Sequence, residues 1–280
     1  MSERAVTFGA RNELVGILSV PQAPATAASR PAILTWNVGI NHRVGPFRIY
    51  VDLARRMADA GFTTLRFDVS GRGDSEARRE AVSDAQREAL DVRDAMDFVT
   101  RRTGVSSFVL IGFCSSVDAA HRVSVADPRV VAAIQLEGYA YRTRGFRLRL
   151  PLRLLSRRRW ERYLKHRLSG LFPGMVGGYA QLSVQETVYK RDYPDWAQFT
   201  SDLEALVARG VGLLFVYVGG DTDYNHRAQF FKMFGSSRLS AANIAVDYYP
   251  NSDHTFFGVD ARRAIVERVN GWLNERFPGR

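Results

Sequence analysis

Ser107-Phe-Val-Leu-Ile-Gly-Phe-Cys-Ser-Ser-Val-Asp118 runs from an apolar stretch through a cluster of small residues into a helical pattern. The spacing fits a strand, a tight turn and a helix, with Cys114 at the tip of the turn. Gly112 lies two residues before the tip and Ser116 two after it. A turn of this kind needs small residues at both places, so that the backbone can bend sharply and expose the central side chain. Moving the tip to Ser115 would put Phe113 and Val117 at the small positions, so the spacing selects Cys114. A thiol there sits at a helix N-terminus, where partial positive charge and unpaired N–H groups favour the thiolate. A lone cysteine elsewhere in a chain is usually an inert apolar residue. The turn gives this one a chemical reading, provided that an acid and a histidine follow it in order.

Working outward, residues 5–10 and 14–20 read as two short strands, and Pro21 to Pro31 as an Ala/Pro-rich surface connection. Pro31-Ala-Ile-Leu-Thr-Trp-Asn-Val-Gly39 reads as a buried strand running into a turn. Pro46 opens a helix with Phe47, Tyr50, Leu53 or Ala54, and Met57 on its apolar face, and Gly61 closes it. A strand over 63–69, a loop over 70–75 and a long helix bearing Ala85, Ala89, Val92, Met96 and Val99 lead to the cysteine strand. Val131 to Leu136 is the next strand. The alternation to this point predicts an α/β fold with parallel strands joined by helical crossovers.

From Tyr139 to about Gly210 the alternation stops, and the stretch is too long for a simple loop. It predicts a mostly helical cap over 139–210 inserted into a core made of 1–138 and 211–280. The cap carries Trp160, Tyr163, Phe172, Tyr179 and Trp196, with glycines at 174, 177 and 178. The core resumes with a strand over 211–218, a helix near 227–234, a strand over 244–249, and a last helix over 260–277 that buries Ala261, Ile265, Val269 and Trp272.

The chain of 280 residues is 46% hydrophobic, enough for one large core. Its N-terminus lacks an apolar signal core and no run of about 18 apolar residues occurs, so a cytoplasmic protein is expected. One cysteine excludes an internal disulfide and argues against a zinc cluster, and the five histidines show no paired ligand spacing. No metal is expected. Gly39, Gly71 and Gly73 form no phosphate-cradling or dinucleotide pattern, so no cofactor is expected either. Ten Arg, one Lys and one Glu lie between Tyr141 and Arg167, so the whole net charge of +10 sits there and the rest of the chain balances at 28 against 28. Such a segment attracts an anionic partner.

The other parts of a triad lie downstream. His254 falls in Asn251-Ser-Asp-His-Thr-Phe-Phe257, between the last strand and the last helix. Asp221 and Asp223 follow the strand over 211–218, in Gly219-Gly-Asp-Thr-Asp-Tyr224. The order nucleophile, acid, histidine is that of alpha/beta hydrolases.

From about residue 31 onward the chain resembles the alpha/beta-hydrolase superfamily, and Leu65-Arg-Phe-Asp-Val-Ser-Gly-Arg-Gly-Asp-Ser75 looks like that superfamily's loop after its fourth strand. More narrowly, residues 37–48 and Gly112-Phe-Cys-Ser-Ser116 resemble a bacterial subgroup found with exopolysaccharide and natural-product pathways. Its elbow commonly reads Gly-x-Cys-Ser-Gly, from which Ser116 departs. The resemblance implies a mostly parallel twisted sheet with helices on both faces and an inserted cap. It makes Cys114 the nucleophile and His254 the general base and then acid. One aspartate orients the imidazole: Asp223, by its Gly-x-x-Asp spacing, ahead of Asp221, with Glu137 a third candidate. The oxyanion hole would combine the Ser115 N–H with one from Val38 or Gly39, and Asn37 stands where many relatives have histidine. His42, Arg43 and Arg48 lie in the same loop, facing either substrate or solvent. His121 and Asp118 read as structural, and His166 and His226 as cap and surface residues.

Three functions compete. The first is acyl transfer or thioester cleavage through an acyl-Cys114, with coenzyme A or an acidic carrier protein docking on the basic cap. The second is a hydrolase of small esters or lactones similar to dienelactone hydrolase. The third is a non-catalytic protein whose run Phe146-Arg-Leu-Arg-Leu-Pro-Leu-Arg-Leu-Leu155 touches an anionic membrane surface. Nucleic acid is not expected as a partner, and the oligomeric state is not legible.

Overall fold

The computed structural model describes residues 1–22, 30–39, 41–154, 191, 193–219, 223–234, 239 and 243–279. Its strands are β1 (Ser2–Phe8), β2 (Leu14–Val20), β3 (Ala32–Trp36), β4 (Thr64–Asp68), β5 (Phe108–Phe113), β6 (Val130–Leu136), β7 (Gly212–Val218) and β8 (Ile244–Tyr249). Its helices are α1 (Ile49–Asp59), α2 (Asp84–Thr103), α3 (Ser116–Ala126), α4 (Arg144–Leu154), α5 (Trp196–Ala208), α6 (Gln229–Phe234) and α7 (Val259–Arg276). The eight strands form one sheet in the order β1-β2-β4-β3-β5-β6-β7-β8. The first two make an antiparallel pair, with Phe8 opposite Leu14. β2 is also antiparallel to β4, and the remaining pairs are parallel.

Central strands covered on both faces must be apolar throughout, and alternate residues feed two different cores. In β5, Val109, Ile111 and Phe113 join Leu53 and Met57 of α1 and Ile265, Val269 and Leu273 of α7 on one face. Phe108 and Leu110 join Val92, Met96 and Val99 of α2 on the other. The α2 helix has a capping box in which Ser83 Oγ accepts from Gln86 N and Gln86 returns the bond to Ser83 N, and Gly104 ends it in the left-handed region.

Two features depart from the sequence reading. Phe47 was expected on the buried face of the first helix but is half-exposed. Phe47 and Arg48 adopt φ of 48° and 68°, which kinks the 3₁₀ turn Pro46–Arg48 away from α1 and swings the Phe47 ring outward against Phe257, at 5.1 Å between ring centres. The second concerns α5, which falls inside the range 139–210. Phe199, Leu203 and Leu206 pack it on the sheet with Phe215 and Tyr217. A right-handed return from β6 to parallel β7 needs such a crossover helix, so this part of the range belongs with the core. The cap range is otherwise described only through residue 154, at 191 and from 193. The arginines at 157–159, the glycines at 174, 177 and 178, and Trp160, Tyr163, His166, Phe172 and Tyr179 lie outside the described residues. Among the described residues no helix is long and apolar enough to cross a membrane.

Candidate active site

The turn between β5 and α3 is built from its small residues. A Cβ at Gly112 would stand 2.7 Å from Val117 Cα, so only glycine lets the helix fold back this closely on the strand. Cys114 takes φ 50° at the tip, a conformation that costs a non-glycine residue energy and that folds retain mainly at functional sites. Its N–H donates to Leu136 O at 2.9 Å, which ties the tip to β6. Ser116 does not crowd the turn. Its buried Oγ accepts from Phe113 N at 2.8 Å and donates to Phe113 O at 3.0 Å, a closure that a glycine at this position would lack.

His254 reaches the same place from the loop after β8. Asp253 shapes that loop by accepting from Thr255 N at 2.9 Å and Phe257 N at 3.0 Å, and the fully buried Phe256 anchors it. His254 Nδ1 lies 2.9 Å from Glu137 Oε2, and the ring also interacts with the Cys114 thiol. These two interactions, with the thiol the larger influence, outweigh the ring's partial burial and raise it from 6.5 to about 10. An imidazolium beside the cysteine at neutral pH follows, a pairing suited to a thiolate nucleophile.

The acid at the imidazole is therefore Glu137, the third of the three candidates. It ends β6 at φ 58° and is buried. Its N–H donates to Val216 O at 2.8 Å, and its Oε1 accepts from Val218 N at 2.6 Å, so neighbouring β7 holds both its backbone and its carboxylate. Asp223 is turned elsewhere and accepts from Arg142 Nε at 2.7 Å. Asp221 lies outside the described residues. The sequence held one further signal for Glu137: an acid directly after an apolar strand is buried, and a buried carboxylate requires partners.

The loop after β3 supplies the other wall. Asn37 is fully used in shaping it, donating to Asn41 O at 2.9 Å and Asp68 Oδ1 at 2.8 Å and accepting from Val69 N at 2.6 Å. Buried Asp68 also accepts from Arg43 N at 2.7 Å and pairs with the Arg43 guanidinium, which bridges on to Asp74 at 2.7 Å. His42 Nδ1 lies 3.2 Å from Asp68 Oδ2. Arg43 and His42 thus brace the loop, and Arg48 stands at the kink before α1. His42, Asp68 and Asp74 offer atoms close enough together for a metal, but Arg43 already supplies the positive charge between the two carboxylates, and the group does not fit an ion. Of the two oxyanion candidates in this loop, Gly39 N donates to Ser115 Oγ at 2.7 Å, and Val38 O accepts from Asn41 N at 2.8 Å.

Arg191 is a residue that the sequence did not single out. It returns from the inserted range and donates to Asp118 Oδ1 at 3.1 Å, to Glu137 O at 3.3 Å and to Tyr193 Oη at 3.1 Å, with its guanidinium 5.2 Å from the Tyr139 ring centre. Burial works against its charge, but Asp118, Tyr193 and Cys114 outweigh it and hold the guanidinium above its ordinary value. Asp118 and His121, read as structural, make inter-element ties. Asp118 meets Arg191, and His121 Nε2 meets Asp202 Oδ2 of α5 at 2.8 Å.

No family model matches the chain, and no curated protein matches it in sequence. Solved structures do match. An alpha/beta serine hydrolase without lid from Xanthomonas campestris is 12% identical, with 100% of this chain and 97% of that one covered at a TM-score of 0.60. The alpha/beta hydrolase GrgF from Penicillium is 18% identical, with 99% of each chain covered, also at 0.60. A dienelactone hydrolase from Anabaena variabilis is 15% identical, with 98% and 97% covered at 0.56. At these identities the likeness is one of fold, and this chain has the alpha/beta-hydrolase fold.

Proposed function

We propose that the protein is an enzyme of the alpha/beta-hydrolase type that forms a covalent acyl-Cys114 and passes the acyl group on, as a transferase or thioesterase. The observation that carries the reading is the contact of His254 Nδ1 with Glu137 Oε2 at 2.9 Å, with the same ring interacting with Cys114, assembled from three separate strand ends. The Cys114 thiolate attacks the carbonyl carbon of a thioester, a carbon–sulfur bond forms, and the carbonyl electron pair moves onto oxygen. The Ser115 N–H, at the start of α3, faces that developing charge. Collapse expels the donor thiolate, which takes the His254 proton. The neutral imidazole then accepts a proton from the incoming amine, alcohol, thiol or water as it attacks the acyl-cysteine. Glu137 keeps Nδ1 protonated and the ring oriented throughout.

The donor class rests on charge. The excess of positive residues between Tyr141 and Arg167 suits the phosphates of coenzyme A or the acidic face of a carrier protein. A second reading, hydrolysis of an ester or lactone, draws on the fold shared with a dienelactone hydrolase. Intact-mass spectrometry after incubation with a panel of acyl thioesters separates them. An acyl addition that is absent in Cys114→Ala and persists until an acceptor is added supports transfer. Rapid release as free acid, whatever the acceptor, rules for the hydrolase, and no addition with any thioester or activated ester removes the mechanism.

A further inference from the structure

The Ser115 hydroxyl lies against the N–H that an oxyanion would otherwise claim. Gly39 N, one of the two N–H groups expected as the second donor of the hole, donates instead to Ser115 Oγ at 2.7 Å. With one lone pair of Oγ fixed in this way, the hydroxyl hydrogen must point to another side. Ser115 is 5% exposed, and none of the hydrogen bonds among the described residues gives that hydrogen an acceptor. A buried hydroxyl donor without an acceptor is costly and needs an explanation. Ser115 is also the residue whose own N–H follows the nucleophile and faces the carbonyl oxygen, so its side chain and its backbone border the same small space.

We infer that Ser115 Oγ is a catalytic oxyanion donor, polarised from behind by the Gly39 N–H, so that the tetrahedral intermediate on Cys114 is held by the Ser115 backbone N–H and the Ser115 hydroxyl together. The inference rests on the proposed acyl-Cys114 chemistry. No proton is transferred in this contact: the oxygen gains charge as the carbon–sulfur bond forms, the O–H hydrogen bond strengthens, and both relax when the leaving thiolate departs. Hydrogen bonds in such a chain polarise one another, so the relay lets one backbone donor act through a hydroxyl that reaches farther. It also gives a reason for serine next to the nucleophile, because alanine would satisfy the helical backbone at φ −62°, ψ −32° equally well.

The experiment compares wild type, Ser115→Ala and Ser115→Gly in two reactions of Cys114. One is the single-turnover rate of acylation by an acyl-coenzyme A and by a p-nitrophenyl ester. The other is the rate of alkylation by iodoacetamide, which uses the same thiolate but builds no oxyanion at an attacked carbonyl. Both variants should acylate roughly ten- to a hundred-fold more slowly, at unchanged donor affinity, while alkylation stays within about two-fold of wild type. Equal or faster acylation in the variants overturns the inference and makes the hydroxyl a plug in the hole. An equal fall in both reactions also overturns it, since the side chain would then be supporting the thiolate or the turn. If the wild type alkylates but is acylated by neither donor, the failure lies with the proposed function itself.

Discussion

Glu137 Oε2 sits 2.9 Å from His254 Nδ1 across a sequence separation of 117 residues. The contact exists because β6 ends beside β7, whose Val218 N–H fixes the other carboxylate oxygen at 2.6 Å. A carboxylate at this position selects the tautomer and holds the charged ring, so Glu137→Gln should lower the acylation rate by roughly two to four orders of magnitude while the fold survives. Asp223→Asn, which weakens the pairing with Arg142, should stay within a few-fold. Acylation rates for the two variants, measured side by side, decide which acid serves His254, and the reverse ranking would return the role to Asp223.

With His254 raised to about 10 by Cys114 and Glu137, the imidazolium persists across the neutral range. The ring signals of His254 in the wild type should therefore show no titration between about pH 6.5 and 9 by NMR. In Cys114→Ala, which removes the larger of the two influences on the ring, the titration should move down toward that interval. Ring chemical shifts of both proteins followed across that range test this, and a wild-type ring that titrates near 6.5 would overturn it.

The turn, the histidine loop and the alternation of strands and helices were legible in the sequence because each is a local pattern. Gly112, Cys114 and Ser116 stand within five residues of one another, and His254 lies between a strand and a helix whose periods are plain. Glu137 was harder to rank. Its role depends on which strand lies beside β6 and on the left-handed bend at its own φ, and neither is a local property. The Gly-x-x-Asp spacing pointed to Asp223, but Arg142 holds that side chain. The same holds for α5, whose pattern sits within a stretch dominated by arginines, and for Phe47, which two positive φ values turn out of the core.

Arg191 joins the inserted range to the machinery through Asp118, the Glu137 carbonyl and its attraction to Cys114. Replacing it with methionine keeps much of the volume but leaves the buried Asp118 carboxylate without this partner. Arg191→Met should slow Cys114 alkylation at pH 7 several-fold and lower the unfolding midpoint, since breaking a buried pair costs roughly 3–5 kcal/mol. Arg191→Lys should recover part of the alkylation rate but little of the stability, because a single ammonium does not reproduce the forked contacts. Labelling rates and urea unfolding of both variants check this. Unchanged labelling in the methionine variant would reduce Arg191 to a structural tie.

Glu88 gives a prediction about stability that is independent of the chemistry. It is buried on α2 and accepts from Trp36 Nε1 at 2.8 Å. Burial, only partly offset by that bond, pushes its carboxyl from 4.5 up to about 7. Between those values the folded protein keeps a proton that the unfolded chain has released, so stability falls as pH rises through the window. The full loss above pH 7 is on the order of 3 kcal/mol. Glu88→Gln retains an oxygen for Trp36 and removes the ionisation. Its unfolding free energy relative to wild type should therefore rise steadily from pH 5 to pH 8, with the variant the more stable form at the upper end. Urea unfolding of both proteins at four pH values measures the difference directly, and a difference that does not change with pH would mean that Glu88 folds already ionised.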